Sequence, residues 1–229
     1  MDRPPGDRAA LLAFIAADPA LAALLDEARA AAARADAAHD ADHLLRVALW
    51  TLRCGSGVEP RLAVAAALLH DIAHVPKDHP ARARASERSA AHARARLLAL
   101  GFGAAAADEA AAAIRDHSFS RGAAPAPGLG EALQDADRLD ALGAIGIARC
   151  VATGVAMGAR LYDPADPWAR RRPLDDRAFS ADHFFAKLLR LADGMRTAPG
   201  RAEAARRTAA MRAWLAALGE EIGEAPPGA

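Results

Sequence analysis

Three stretches of this sequence gather side chains able to hold a cation. Residues 39–43 read His-Asp-Ala-Asp-His, and residues 67–74 read Ala-Leu-Leu-His-Asp-Ile-Ala-His. Residues 134–143 read Gln-Asp-Ala-Asp-Arg-Leu-Asp-Ala-Leu-Gly. Neutral imidazole and carboxylate together suit borderline and hard divalent ions: Mn, Mg, Fe, Co, Ni or Zn. Neither Cys54 nor Cys150 falls in these stretches, so a structural thiolate zinc site is not indicated. A divalent ion with open positions acidifies bound water and polarises a phosphoryl oxygen. Phosphate hydrolysis needs both effects, because water is a poor nucleophile and the phosphorus centre is ringed by negative charge.

Helices must bring these residues together. Alanine, the best helix former, occurs 67 times, and apolar residues recur at helical spacing without period-two β-branched runs. The pattern predicts an all-α chain with helices at about 8–16, 19–37, 41–53, 60–70, 84–100, 104–117, 129–142, 144–157, 181–192 and 200–222. Asp18-Pro19 is a start signal, with a capping carboxylate before a first-turn proline. His43 lies 11 residues before Cys54, where Cys-Gly-Ser-Gly-Val-Glu-Pro breaks the helix, and His70 lies 10 residues after Pro60. At about 1.5 Å per residue the chain runs out roughly 16 Å and returns roughly 15 Å, which puts both imidazoles at one level. Asp71 can join them only if the helix ends or distorts there, and Pro76 supports a break nearby.

Several other residues are candidates on spacing. Asp40, three residues before His43, can orient that ligand or hold a water, or it can be a plain helix cap. His39 and His43, four apart, form a rival ligand pair. Lys77 follows the His70–Asp71 segment closely and can meet a phosphate as a point charge. His74 and His79 lie near the same mouth. Asp140, one turn after Asp137, can face the same cavity and bind a substrate hydroxyl. The loops at 118–128 and 159–180 are rich in proline, and long loops in helical domains often carry function. Asp182-His183 is also a bare His–Asp pairing, read here as a helix start.

Taken jointly, His43-Leu-Leu-Arg46-Val47, Leu68-Leu-His-Asp-Ile-Ala-His74 and the run from Gln134 to Arg149 resemble the HD-domain metal-dependent phosphohydrolases. More narrowly, they resemble the small stand-alone bacterial members. The resemblance extends to Pro76–Pro80, Asp116–Ser120 and Arg172–Asp176, and covers roughly residues 20–215. It implies a helical bundle with the metal at its centre, and His43, His70, Asp71 and Asp137 in the four ligand positions. Asp71, Asp40 and Lys77 are then the expected catalytic residues. Lys77, His92, His117 and Asp140 are the expected substrate-binding ones. In some members of the family, extra histidines at positions like those of His92 and His117 hold a second metal or the substrate phosphate.

Composition narrows the partners. Lys plus Arg and Asp plus Glu number 29 each, so no general attraction to nucleic acid or anionic membrane arises. Aromatic residues at 4% are too few for a base-stacking platform. No apolar run of about 18 residues marks a membrane span, and no leader pattern is visible, so a cytoplasmic protein is expected. Neither a phosphate-binding GxxxxGK[ST] loop nor a GxSxG nucleophile elbow occurs. The expectation is one HD-type domain over 1–229, with a core at about 20–160, a helical extension at about 180–222 and a frayed tail after Gly223. Its expected activity is hydrolysis of a nucleotide or other small phosphate ester through a metal-bound water. The rivals are a non-catalytic nucleotide sensor that keeps the metal site, and a di-iron oxygenase.

Overall fold

Eight consecutive residues, Leu62 to Leu69, are buried in one helix, and the first half of the chain is arranged around it. The computed structural model describes residues 4–32, 41–73, 84–118 and 122–228. Among them are ten α-helices: α1 (Arg8–Ala16), α2 (Pro19–Ala32), α3 (Ala41–Cys54), α4 (Pro60–Leu69), α5 (Ala85–Ala99), α6 (Ala104–Asp116), α7 (Leu129–Asp140), α8 (Gly143–Ala156), α9 (Ser180–Ala186) and α10 (Ala198–Ile222). A 3₁₀ helix, Leu188–Gly194, joins the last two. The only β pairing among the described residues is a single bridge between Arg160 and Phe179. No single helix among them is long and apolar enough to cross a membrane.

The chain forms two compact units, Met1–Asp137 and Arg138–Ala229, divided inside α7. In the first unit α4 is the axis, packed against α2, α3, α5 and α6. It can be buried all round because Ala63, Ala65, Ala66 and Ala67 are small enough for neighbouring helices to approach. Leu21, Leu24, Val47, Leu97 and Ile114 fill the space around it. The helix starts are capped as the sequence indicates. Asp18 accepts from the amides of Ala20 (2.8 Å) and Leu21 (3.2 Å), and its other oxygen accepts from Arg61 Nε at 2.5 Å. That guanidinium bond holds the Asp18 carboxyl below its ordinary pKa. Glu59 caps α4 in the same manner.

In the second unit α8 packs on α9 and α10, and the 3₁₀ helix packs on the same two. The expected single helix over 181–192 is broken at Lys187, whose backbone leaves the helical region (φ −138°, ψ −58°). The loop at 159–180 is ordered by its own charges. Asp166 accepts from the amides of Arg170 and Arg171 at 2.9 and 2.8 Å. Arg172 reaches Asp182 at 2.5 Å and Asp163 at 3.0 Å, with its guanidinium 4.5 Å from the Phe179 ring centre. The run of three arginines therefore holds the loop together. Asp182 is accordingly an internal anchor, accepting also from the Asp175 amide at 2.7 Å.

The tail does not fray as expected. Gly223 takes the left-handed conformation (φ 76°) that ends α10, and the Glu224 amide bonds back to Gly219 at 2.9 Å. Trp168 Nε1 then donates to the Glu224 carbonyl, and Arg170 to the Ala225 carbonyl, each at 2.7 Å. Two buried or loop side chains thus tie down a segment whose composition alone reads as loose.

Gly146, in the first turn of α8, is packed against main chain. A Cβ there would lie 2.2 Å from the Ala141 carbonyl oxygen and 2.4 Å from its carbon. Backbone cannot swing aside as a flexible side chain can, so overpacking dominates the roughly 1 kcal/mol that alanine gains over glycine in a helix. Gly146→Ala is expected to lower stability by about 1–3 kcal/mol in urea unfolding. An unchanged or higher midpoint would show that the turn is looser than described.

Candidate metal centre

The site is built where α4 stops. Its last helical residue is Leu69, and His70 keeps helical angles (φ −60°, ψ −33°) as the cap. The chain then turns, with the Ile72 amide bonding the Leu69 carbonyl at 3.2 Å. The next amide, Ala73, is taken by the buried Ser89 hydroxyl of α5 at 3.1 Å. A continuing helix would carry Asp71 about 100° round from His70. Here the side chains of His70 and Asp71 nevertheless bring their ligand atoms together.

The α3–α4 hairpin brings His43 to the same level. The His43 and His70 ring centres are 5.3 Å apart. One ligand atom each from His43, His70 and Asp71 falls within 4.8 Å of the others. Asp137, from α7, joins them with Oδ1 at 3.7 Å from His43 Nε2 and 3.8 Å from His70 Nε2. Asp71 Oδ2 is 3.6 Å from His70 Nε2. These separations are too long for hydrogen bonds. They fall inside the spread of about 4.2 Å that two atoms can have when each lies about 2.1 Å from one ion. His43 and His70 are almost fully buried, whereas the Asp71 and Asp137 side chains are 34% and 29% exposed. The imidazoles form a dry wall and the carboxylates face an approach open to solvent.

His117, the cap of α6, stands at the edge of this group. Its ring centre is 5.0 Å from that of His70, and its Nε2 is 3.7 Å from Asp71 Oδ1. Both of these histidines are turned by main-chain carbonyls. His70 Nδ1 bonds the Ala67 carbonyl at 2.8 Å, and His117 Nδ1 bonds that of Ile114 at 2.6 Å. A carbonyl can only accept, so in each ring Nδ1 carries a hydrogen, and whenever the ring is neutral the Nε2 lone pair points into the cluster. Metal-binding histidines are oriented by the same kind of bond. Among the described residues, His70 Nε2 is a buried polar atom without a hydrogen-bond partner. A divalent ion would meet that need, and the two-imidazole, two-carboxylate donor set suits one.

Charges in the cluster lean on one another. Burial alone would lower the His70 pKa, but the negative charges of Asp71 and Asp137 outweigh it and raise it to about 9. Burial likewise works against ionising the two carboxyls. The facing histidines win, holding Asp71 and Asp137 below the ordinary carboxylate range. Carboxylate beside imidazolium is how the cluster balances its charge when no cation is bound.

The remaining candidates have partners of their own or lie outside the described residues. His92 is half exposed on α5 and paired with Glu27 at 2.5 Å, a carboxylate that also holds Arg96 at 2.6 Å. Asp140 is buried in the second unit, where its carboxylate and carbonyl both accept from Arg149. Asp40 and Lys77, with His39, His74 and His79, lie outside the described residues. Ser89, which secures the turn after Asp71, was not singled out from the sequence. A serine in an arginine-rich helix gives no sign of what it will face.

Known proteins share the family pattern and the fold. The HD domain family model matches residues 40–142. The uncharacterized protein YpgQ of Bacillus subtilis (strain 168) is 41% identical over 93 residues, spanning 41% of this chain and 40% of the relative. The crystal structure of Bacillus subtilis YpgQ in complex with ADP superposes with a TM-score of 0.67 at 28% identity, covering 90% of this chain and 95% of that one. A protein from Lactobacillus plantarum gives a TM-score of 0.69 at 31% identity over 89% and 97% of the two chains. An HD-superfamily hydrolase from Bacillus thuringiensis gives 0.66 at 29% identity over 88% and 96%.

A cation entering this cluster must displace the His70 proton wherever the pH is below about 9. Apparent affinity is therefore expected to rise with pH by about tenfold per unit, one proton being released, and to level off above the His70 pKa. Competition of Mn²⁺ or Zn²⁺ against a chromophoric chelator at several pH values measures this. A pH-independent affinity would mean that His70 is not a ligand.

Proposed function

The chain belongs to the HD-domain superfamily, and on that footing we propose that it is a metal-dependent phosphohydrolase acting on a nucleotide or another small phosphate ester. The observation that carries this reading is the convergence of His43, His70, Asp71 and Asp137, with both carboxylates partly open to solvent. These four residues would hold one divalent ion. Such an ion supplies acidified water and a Lewis acid for a phosphoryl oxygen.

The protein's own groups account for the rest. His43 and His70 close the inner wall and keep water out from behind the site. Asp71 stands between two imidazoles, Oδ2 toward His70 and Oδ1 toward His117. Asp71 is thereby held ionised, so it can accept a proton from an attacking water at Oδ1. His117 stands at the edge of the cluster, its Nε2 3.7 Å from Asp71 Oδ1, where its ring would line the substrate side of the site. The nucleotide part of the proposal is supported by the ADP complex of the YpgQ relative. For Asp40 and Lys77, which lie outside the described residues, the proposed parts are those of a positioning carboxylate and a phosphate-binding ammonium.

A panel of nucleoside mono-, di- and triphosphates with added Mn²⁺ tests the activity. Wild-type protein is expected to release phosphate or pyrophosphate. Asp71→Ala and Asp137→Ala should each lose more than about 100-fold, beyond the 10–100-fold typical of a supporting residue. Helix content by circular dichroism should stay unchanged. Tight nucleotide binding with no release above the Asp71→Ala background would favour the sensor instead.

A further inference from the structure

Gln134 is fully buried on α7, one helical turn before Asp137 and on the same face. Its Nε2 donates to the main-chain carbonyl of Asp116 at 3.2 Å. Its Oε1 has no hydrogen-bond partner among the described residues. A buried acceptor left unmet is destabilising, and an apolar side chain of the same length would avoid that cost. The glutamine is therefore poorly explained by core packing alone.

What it holds is informative. Asp116 is the last residue of α6, so its carbonyl is among those the helix itself leaves without a donor. The next residue is His117, which keeps helical angles (φ −67°, ψ −32°). Its ring is fixed through Nδ1 to the Ile114 carbonyl, and its Nε2 lies 3.7 Å from Asp71 Oδ1. One turn of α7 thus carries Asp137 toward His43 and His70, and grips the main chain on which His117 rides. We propose that Gln134 is a positioning residue: by bonding the Asp116 carbonyl it sets His117 against Asp71, in register with Asp137. The proposal rests on the metal-site reading above, and its test keeps the two apart.

Gln134→Met keeps the length and bulk of the side chain and removes both polar atoms. Thr51→Val is the control, since it deletes another buried bond in the same unit, Thr51 Oγ1 to the Val47 carbonyl at 2.9 Å. Each protein is loaded with Co²⁺, and its visible ligand-field spectrum and dissociation constant are recorded beside its melting temperature. Gln134→Met is expected to shift the spectrum and weaken Co²⁺ binding by about 10-fold or more, the range for supporting residues. It should melt no lower than Thr51→Val, whose spectrum and affinity should match wild type. Gln134→Asn, one methylene too short to reach Asp116, should share the Co²⁺ defect and carries the test if the methionine variant does not fold.

A metal-free readout is added. In ¹⁵N-labelled protein, His117 should show its Nδ1–H tautomer in wild type and lose that preference in the Gln134 variants. Wild-type Co²⁺ spectrum and affinity in both Gln134 variants would overturn the positioning role. So would losses that follow melting temperature alike in all three variants. Failure of wild type to bind Co²⁺ at all would defeat the metal reading instead, and the His117 tautomer would then decide Gln134.

Discussion

His70 is completely buried, yet its Nε2 stands between two carboxylates that it does not hydrogen-bond. Taking charges out of water costs several kcal/mol per ion unless close partners compensate. Here the partners sit 3.6 to 3.8 Å apart, at the spacing of atoms around a cation rather than of atoms bonded to one another. Without an ion the cluster relies on a proton held at His70. With one, the same lone pairs and charges find a common centre. The rest of the first unit can be understood as the means of holding these groups at that spacing.

Three features do so. The alanine-rich α4 allows four helices to close around it, which makes its C-terminal end a buried place. The chain turns after Leu69, with the Ala73 amide bonded to Ser89, where the ligand atoms of His70 and Asp71 converge. Carbonyls of Ala67 and Ile114 aim the His70 and His117 rings inward. Apolar packing sets the position of the backbone, and a few directional bonds set the angle of each ligand. The carboxylates remain partly exposed because they lie on a helix end and a helix face that the packing leaves open.

Much of this was legible in the sequence, for physical reasons. The alanine content, the cap at Asp18, the first-turn Pro60 and the breaks at glycine and proline give most of the described helices to within about two residues; the expected end of the helix over 19–37 lies outside the described residues. The equal arms of the α3–α4 hairpin place His43 opposite His70 before any coordinates are known. Local signals fail where long-range partners decide. Nothing near Lys187 announces a break in the helix, and nothing in the tail after Gly223 announces that Trp168 and Arg170 will hold it. Asp140 shares helical spacing with Asp137, but spacing could not reveal that Arg149 would occupy its carboxylate. His92 looks like a ligand candidate in the sequence and is placed with Glu27 by the packing of its helix.

The central claim concerns one cation and four side chains, and a crystal grown with Mn²⁺ tests it most directly. Anomalous scattering should place a single strong peak within about 2.0–2.3 Å of His43 Nε2, His70 Nε2 and oxygens of Asp71 and Asp137, with at least one coordination position left to solvent. A peak bound elsewhere, or a cation enclosed entirely by protein atoms, would contradict the account.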